Sequence, residues 1–585
     1  MRGDILLQTK PRSWLRFSQP LEIVETRALD EVVAKLRAVE AVVAQGRYAV
    51  GFLAYEAAPA FDRVSRVRPP GGVPLLWFGL YDRVERLDKT EQIDRRSETE
   101  RPSYSIGTWA SSVDWPTYEK AIARIKDHIA RGDTYQVNYT YRLRAPFDGE
   151  AWPFFFDLVR KQPAGYAAYL DLGSHCLCSI SPELFFKRSG HTLTTKPMKG
   201  TAARGRTLSE DRAQMTWLHQ SEKNRAENVM IVDMIRNDLG RVADTASVHV
   251  SSLFEVERYP TVLQMTSTVT AQTGASLVDI MMALFPCASI TGAPKVRTME
   301  LIAELETTPR GVYTGSIGYV EPNGDAQFNV AIRTVTIDQT THTAEYGVGG
   351  GIVWDSGAAD EWRECEIKTR VLTQPPGGFD LIESILWTPA DGFWLLDLHW
   401  QRLTDSAEYF NIPIDLSALN VQLAQLREAW PPVPHKVRIN ISQSGTVTIS
   451  AAPVQPLPQP MHITLAAAPV DSRDIFLYHK TTRRDGYEAA RAQRPGFDDV
   501  ILWNERGELT ESTIANLVVE LSGGRYTPPI ECGLLGGTFR RRLLDQNLIR
   551  ERVILKEELL IAERVWLINS VRGWLECQVA INNEQ

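Results

Sequence analysis

No stretch of this 585-residue chain is both long and free of charge. A bilayer-spanning helix needs about 20 mainly apolar residues, so none is expected. The opening Met1-Arg-Gly-Asp-Ile-Leu-Leu-Gln8 also lacks the uninterrupted apolar core of a signal peptide. Basic residues are not in surplus: 64 Lys and Arg stand against 72 Asp and Glu, and no Lys/Arg-rich block occurs. That balance disfavours nucleic acid as a partner and favours small molecules. Cysteine is sparse as well. The six (Cys176, Cys178, Cys287, Cys365, Cys532, Cys577) are scattered without a Cys-x-x-Cys pair, which argues against a disulfide framework and against a structural zinc site. Reduced thiols and a cytoplasmic location are the expectation, with no membrane partner. Internal repeats and long low-complexity tracts are also missing.

What is present is the balance of a globular protein, 43% hydrophobic and 23% charged, in a chain too long for one ordinary domain. Gln374-Pro-Pro-Gly-Gly378 breaks the pattern, because proline and glycine interrupt regular structure. It is the expected linker (374–378) between a first domain over 1–373 and a second over 379–585. Within the first, Tyr48 to Glu56 and Leu75 to Tyr81 read as buried strands, Lys89 to Thr108 as a polar loop, and Thr117–Ala130 and Trp152–Lys161 as helices. Strands then outnumber helices in irregular order, so the fold class is α+β with large antiparallel sheets.

Chemistry concentrates between Lys196 and Val242. Pro197 and Gly200 punctuate the chain and leave Lys199 at an exposed bend. Further on, a helix carries Glu227 with Met230, Ile231, Met234 and Ile235 at i+3, i+4, i+7 and i+8, which places this carboxylate on the apolar, inward stripe. Burying an ionised carboxylate is costly without a cation or hydrogen bonds, so a metal or partner is expected there. Four other segments join it: Ser181-Pro-Glu183, the loop Ser289-Ile-Thr-Gly-Ala-Pro-Lys295, the run Tyr346-Gly-Val-Gly-Gly-Gly351, and Glu361, Glu364 and Lys368 on one helix face. Glycines without Cβ let backbone N–H groups approach an anion.

Together these segments resemble the chorismate-utilising family, which comprises anthranilate synthase component I, aminodeoxychorismate synthase component I, and the isochorismate and salicylate synthases. Gly132-Asp-Thr-Tyr-Gln-Val-Asn138, Ser181-Pro-Glu183, Pro197-Met-Lys-Gly-Thr201, Arg225-Ala-Glu-Asn228, Arg236-Asn-Asp-Leu-Gly240, Thr291-Gly-Ala-Pro-Lys295, Ile332-Arg-Thr334 and Glu361-x-x-Glu364 occur in family order between about Ile23 and Thr373. The resemblance implies an α/β sandwich with the site between its layers. It implies Mg²⁺ held by Glu227 and Glu364 with Glu361 as an outer acid, and a substrate carboxylate held by Arg333, Tyr319 and the backbone of Gly349, Gly350 and Gly351. Thr291 and Lys368 would line the same pocket. Where the family usually has an acid three residues before the first ligand, this chain has Asn224, a departure in the outer shell. Water-adding relatives carry a lysine base where this chain has Gln136. Anthranilate synthases carry a small residue where it has Lys199. A lysine there resembles the aminodeoxychorismate synthase branch, in which the unprotonated amine attacks the chorismate ring and ammonia then displaces it at the 4-position. A nearby cation would favour the neutral amine; Lys196 is one candidate, though a strand would equally point it away. Glu183 would protonate the departing hydroxyl. With no Gly-x-Cys-x-Gly elbow in the chain, ammonia is expected free or from a separate glutamine amidotransferase subunit.

The second domain reads as a helix opening at Leu396-Asp-Leu-His-Trp-Gln-Arg402, a strand at Ile475 to Lys480 ending in a polar turn, a hairpin turning at Gly507, and Gly536-Gly-Thr538 entering a helix. In this order the segments resemble the fold-type IV pyridoxal-phosphate enzymes, which include branched-chain and D-amino-acid aminotransferases and aminodeoxychorismate lyase. The resemblance implies a two-lobed domain. Lys480 would carry pyridoxal 5'-phosphate and shuttle the α-proton, and Glu511 would face the pyridine nitrogen. Arg402, Gly537, Thr538 and Ser570 would bind the phosphate, Arg572 would meet a substrate carboxylate, and a homodimer would form through this domain. These motifs do not separate lyase from transaminase. Fusion to the first domain favours the lyase, which would release pyruvate and leave 4-aminobenzoate, the folate precursor. The rival is an anthranilate synthase component I joined to an aminotransferase.

Overall fold

The structure is a computed structural model, and it describes residues 2–10, 13–87, 104–162, 165–373 and 378–580. Most of the expected loop at 89–108 and nearly all of the expected linker lie outside the described residues. Contacts divide the chain into two units, Met1–Ala203 with Met215–Pro376, and Arg204–Gln214 with Gly377–Gln585. The short segment Arg204–Gln214, inside the range expected for the first domain, thus clusters with the C-terminal residues. Arg204 donates to Tyr409 O and the Tyr409 hydroxyl donates to Gly205 O.

The N-terminal unit holds two antiparallel sheets. One runs Gly292–Ala293, Gln136–Asp148, Thr343–Ile352, Thr334–Asp338, His175–Ser181, Tyr166–Asp171, Ile5–Lys10, Ser13–Phe17 and Glu85–Leu87. The other runs Met198–Ala203, Val262–Gln272, Thr192–Lys196, Leu184–Ser189, Ala326–Val330, Ser316–Val320, Tyr48–Leu53, Leu76–Tyr81 and Glu22–Thr26. Side chains alternate across a strand, so each sheet offers two faces. Ile5, Leu7, Phe17, Leu170 and Leu177 of the first sheet meet Val50, Phe52, Trp77 and Ile317 of the second in one cluster, the filling of a sandwich. Helices Trp115–Ala130, Ala151–Lys161, Lys295–Leu305 and Ala358–Thr373 cover the outer face of the first sheet. Val32–Val43, Glu222–Gly240 and Leu277–Leu284 cover that of the second.

The apolar run Phe328 to Val335 does not form one strand. It stops at Val330 in one sheet and resumes at Thr334 in the other, and Arg333 takes a φ of 49° in between. Crossing between sheets requires such a break, which hydrophobicity cannot signal.

The C-terminal unit has two sheets matching the expected two lobes. Gly392–Phe393, Leu381–Thr388, His435–Ile441 and Val447–Pro453 form the smaller one, under helix Leu396–Phe410. The larger is mixed: Met461–Leu465 pairs in parallel with Asp499–Trp503 and Gly573–Val579, and the remaining pairs are mostly antiparallel. All six cysteines are free, and among the described residues no helix is long and apolar enough to cross a membrane.

Candidate active sites

Lys199 lies within strand Met198–Ala203, not at an exposed bend, and its side chain is only 15% exposed. Gly200 makes this course possible. Its φ of +106° suits glycine, and a Cβ there would press on Asn224. The Lys199 Nζ stands 3.6 Å from Glu227 Oε2. Helix Glu222–Gly240 is latched to the strand by Asn228, which donates to Lys199 O at 3.2 Å and accepts from Ser267 Oγ. The buried stripe of this helix runs through Asn228, Ile231, Val232, Ile235 and Leu239, so Glu227 sits on its flank instead of in its middle. That offset is why the carboxylate faces Lys199 and not the core. Lys196 pairs with Glu257. Asn224 turns its amide onto Ser221 Oγ, the helix cap.

Gly349, Gly350 and Gly351 pair with Thr140, Tyr139 and Asn138 across the first sheet. A Cβ on Gly351 would collide with Lys199 Nζ and Gln136 Nε2, and one on Gly350 would come within 3.0 Å of Glu361 Oε2. Glycine lets the tips of Lys199, Gln136 and Glu361 lie against the bare backbone here. Gln136 is fully buried, and neither of its amide atoms has a partner. Leaving such a group unbonded costs about 1–3 kcal/mol, the mark of a group aimed at a ligand. Glu361 accepts from Ser356 Oγ at 2.6 Å, and burial holds its carboxyl above the usual range. Glu364 pairs with Lys368 at 2.8 Å and is pulled below the usual range by it; Lys368 Nζ also donates to Gly349 O. Lys199 acts electrostatically on both Glu361 and Glu364.

Among the described residues no three His, Cys, Asp or Glu side chains converge as a metal site. The oxygen donors of Glu227 and Glu364 fit an ion that takes one or two carboxylates and completes its shell with water and substrate, as Mg²⁺ does.

Glu183 is buried. Its Oε1 accepts from Ser289 Oγ at 2.6 Å and the carboxylate faces the Met198 N–H, yet burial outweighs both and pushes its pKa up to about 7. Arg333 is half-buried, with its Nη1 atom buried and unpartnered, and desolvation lowers its pKa against the opposing influence of Tyr346 and Tyr259. The expected companion Tyr319 is not brought to it. Tyr319 belongs to the inter-sheet cluster, paired across strands with Val50 and Gln327 and influenced by Glu321 and Arg86. A tyrosine packed on the glycine strand is Tyr313, whose ring would meet a Cβ on Gly347 and which feels Arg142 and Lys368. It lies in the turn that precedes strand Ser316–Val320. Thr291 lies against Asn138, whose N–H donates to Thr291 O, and its hydroxyl donates to Cys287 O and Ala288 O. Ser289, Asn228 and Tyr313 are the residues that sequence reasoning missed.

In the C-terminal unit a cavity of about 450 Å³ brings together Lys480, Glu511, Arg402, Gly537, Thr538, Ser570 and Arg572. Lys480 follows a single 3₁₀ turn, Ile475–Leu477, not the expected strand, and its carbonyl accepts from Ile382 N. Burial, then Arg402, lowers its pKa to about 8. Glu511 accepts from the Tyr487 hydroxyl at 2.7 Å, Asn516 Nδ2 at 3.1 Å and Leu535 N at 3.1 Å, but burial raises it to about 7. Arg402 is aimed by Glu383, which it grips at 2.9 and 2.6 Å, and Glu383 in turn shares a 2.6 Å hydrogen bond with His399 Nδ1. The third guanidinium nitrogen reaches Gly536 O beside helix Thr538–Asp545, capped by Gly537. A Cβ on Gly537 would run into Asn516, the residue that holds Glu511. A helix N-terminus with an arginine suits a phosphate. A lysine amine with depressed pKa and a buried carboxyl suit the reactive and nitrogen ends of pyridoxal phosphate. Arg572 Nε is buried without a partner.

Residues 5–374 match the family of chorismate binding enzymes, and residues 380–579 match the class IV amino-transferases. Aminodeoxychorismate synthase component 1 of Salmonella typhimurium is 37% identical over 322 residues, 52% of this chain and 70% of that protein. Aminodeoxychorismate synthase of Streptomyces griseus is 42% identical over 276 residues, 47% of this chain but only 38% of that protein. Anthranilate synthase component I from Streptococcus pneumoniae superposes with a TM-score of 0.54 at 25% identity, covering 64% of this chain and 93% of that one.

Proposed function

The chain belongs to the chorismate binding enzymes, and from that membership we propose that it makes 4-aminobenzoate from chorismate in two steps, with an amination in the N-terminal unit and a loss of pyruvate in the C-terminal one. The observation that carries the first step is the position of Lys199, its amine packed on Gly351 and facing Glu227 at 3.6 Å. That amine attacks the ring as the 4-hydroxyl departs. Glu183, held protonated by burial up to about pH 7, gives the departing group its proton, so water leaves. Ammonia then displaces the lysine and regenerates it. Glu227 and Glu364 would hold Mg²⁺, whose charge would offset a substrate carboxylate. Arg333 and the Gly349 to Gly351 backbone bind the other carboxylate. Gln136, an amide where water-adding relatives carry a lysine, cannot itself act as a base toward water. Ammonia comes from a separate amidotransferase partner or from solution.

For the second step, Arg402, Thr538 and Ser570 hold the phosphate of pyridoxal phosphate, and Glu511 keeps its ring nitrogen protonated. When bound, this cofactor supplies the electron sink. Lys480, half-buried and with its pKa lowered to about 8, takes the α-proton and returns a proton at the end of the reaction. The net change converts chorismate and ammonia into 4-aminobenzoate, pyruvate and water.

The test is one incubation of the full chain with chorismate, Mg²⁺, ammonium and pyridoxal phosphate. Equal amounts of 4-aminobenzoate and pyruvate are expected. Fluorescent anthranilate instead would overturn the first assignment, and a persistent 4-amino intermediate without pyruvate release by the C-terminal unit would overturn the second.

A further inference from the structure

Lys436 and Arg438 line the same cavity as Lys480 but have no part in the chemistry assigned to it. On strand His435–Ile441 the residues Val437, Ile439 and Ile441 enter the core of the smaller lobe, so Lys436 and Arg438 project from the opposite face. That face looks into the cavity, since Ser384, the register partner of Arg438, lines it as well. Arg572 joins them from the loop after strand Arg564–Asn569, its Nε buried and unbonded. Among the described residues Lys436, Arg438 and Arg572 make no ion pair. They bear on one another instead: the Lys436 pKa is lowered first by burial and then by Arg572, Arg438 and Arg484. The cavity's carboxylates are Asp498 and Glu511. Glu511 is already held by Tyr487, Asn516 and Leu535 N, and Asp498 accepts from His462 N. Gathering a half-buried lysine, a half-buried arginine and the exposed Arg438 around one cavity is unfavourable unless an anion offsets it, and the phosphate has its own partners in Arg402, Thr538 and Ser570.

We propose that Lys436 and Arg438, with Arg572, form a carboxylate clamp that makes this cavity select a dicarboxylate substrate over an amino acid with a neutral side chain. The inference rests on reading the cavity as a pyridoxal-phosphate lyase site. Arginine offers a two-pronged fork to one carboxylate, and lysine a point charge to the other.

The test uses the full-length holoenzyme. Lys436→Gln and Arg438→Gln are each expected to raise KM for pyruvate release from the 4-amino intermediate by about 10- to 100-fold, the worth of a hydrogen bond to a charged group, while kcat changes little. Lys436→Arg, which keeps the charge, returns KM to within about threefold of the parent. A second readout needs no turnover. Chorismate carries the same two carboxylates but no amine, so it perturbs the visible absorbance of the bound cofactor without reacting, and its apparent Kd weakens by the same factor in the Gln variants. An unchanged KM and an unchanged Kd overturn the clamp. If the parent enzyme releases no pyruvate at all, the lyase reading fails, and the chorismate titration still decides the clamp on its own.

Discussion

Ser289 Oγ donates a 2.6 Å hydrogen bond to Glu183 Oε1 inside a site where burial has already driven that carboxyl to about pKa 7. The bond favours the ionised form and so opposes burial. Amination needs the protonated acid, so its rate should be flat below about pH 7 and fall about tenfold per unit above it. Removing the hydroxyl in Ser289→Ala should raise the pKa further and move this alkaline limb upward. A limb that stays in place in the kcat/KM profile would separate Ser289 from the acid. The same shift affects stability. Glu183 contributes most below its ordinary value of 4.5, and the contribution is lost as pH rises through about 7.

Gly351→Ala is predicted to damage catalysis far more than folding. The added methyl would meet the tips of Lys199 and Gln136, flexible ends that can swing aside cheaply. A misplacement of about 1 Å can cost about 100-fold in rate. The expectation is therefore a loss of about that size in amination with a Tm within a few degrees of the parent, measured by calorimetry alongside the assay.

The two reactions should separate by single substitutions. Lys199→Ala stops formation of the 4-amino intermediate but leaves its conversion to pyruvate when the intermediate is supplied. Lys480→Ala does the reverse, and the intermediate accumulates. Chromatography of the products against time distinguishes the two patterns, and retained amination in Lys199→Ala would remove the covalent step.

Glu306→Ala tests a buried network beneath the first site. Glu306 pairs with Arg310 at 2.6 Å, and Arg310 donates to Asn138 O and Ile290 O, tying the Gln136 strand to the loop that carries Ser289. Arg142 lies 3.7 Å from the same carboxylate. Removing one partner of a buried pair strands the remaining charge, at about 3–5 kcal/mol. Denaturant unfolding should report a loss of that order, and a loss under 1 kcal/mol would contradict it.

Much of both sites was legible because the chemistry demands particular residue types at particular places in a motif. Lys199, Glu183, Glu227, Glu364, Lys480 and Glu511 could each be named from their segments, and the structure brings the three carboxylates Glu183, Glu227 and Glu364 within electrostatic reach of the Lys199 amine, and Lys480 and Glu511 into one cavity. Tyr319 was named from the family resemblance alone, and the structure packs it in the cluster between the two sheets. The strand at Ile475 was misjudged because a β-branched, aromatic run fits a 3₁₀ turn as readily when neighbouring elements supply its hydrogen bonds.

By itself the sequence determined which side chains were available, the antiparallel character of the first domain, and the choice of Lys199 over a small residue, because periodicity and residue chemistry are local properties. Only the tertiary structure decided what those side chains touch. Glu227 faces Lys199 because Asn228, one residue on, occupies the buried stripe. Arg333, with its positive φ, stands where the chain turns from one sheet to the other. Glu183 holds its proton near neutrality because Met198, Ser289 and the surrounding core enclose it. Each of these depends on segments distant in the chain meeting in a medium of low polarity, where burial and a single hydrogen bond outweigh any preference written into a short stretch of residues.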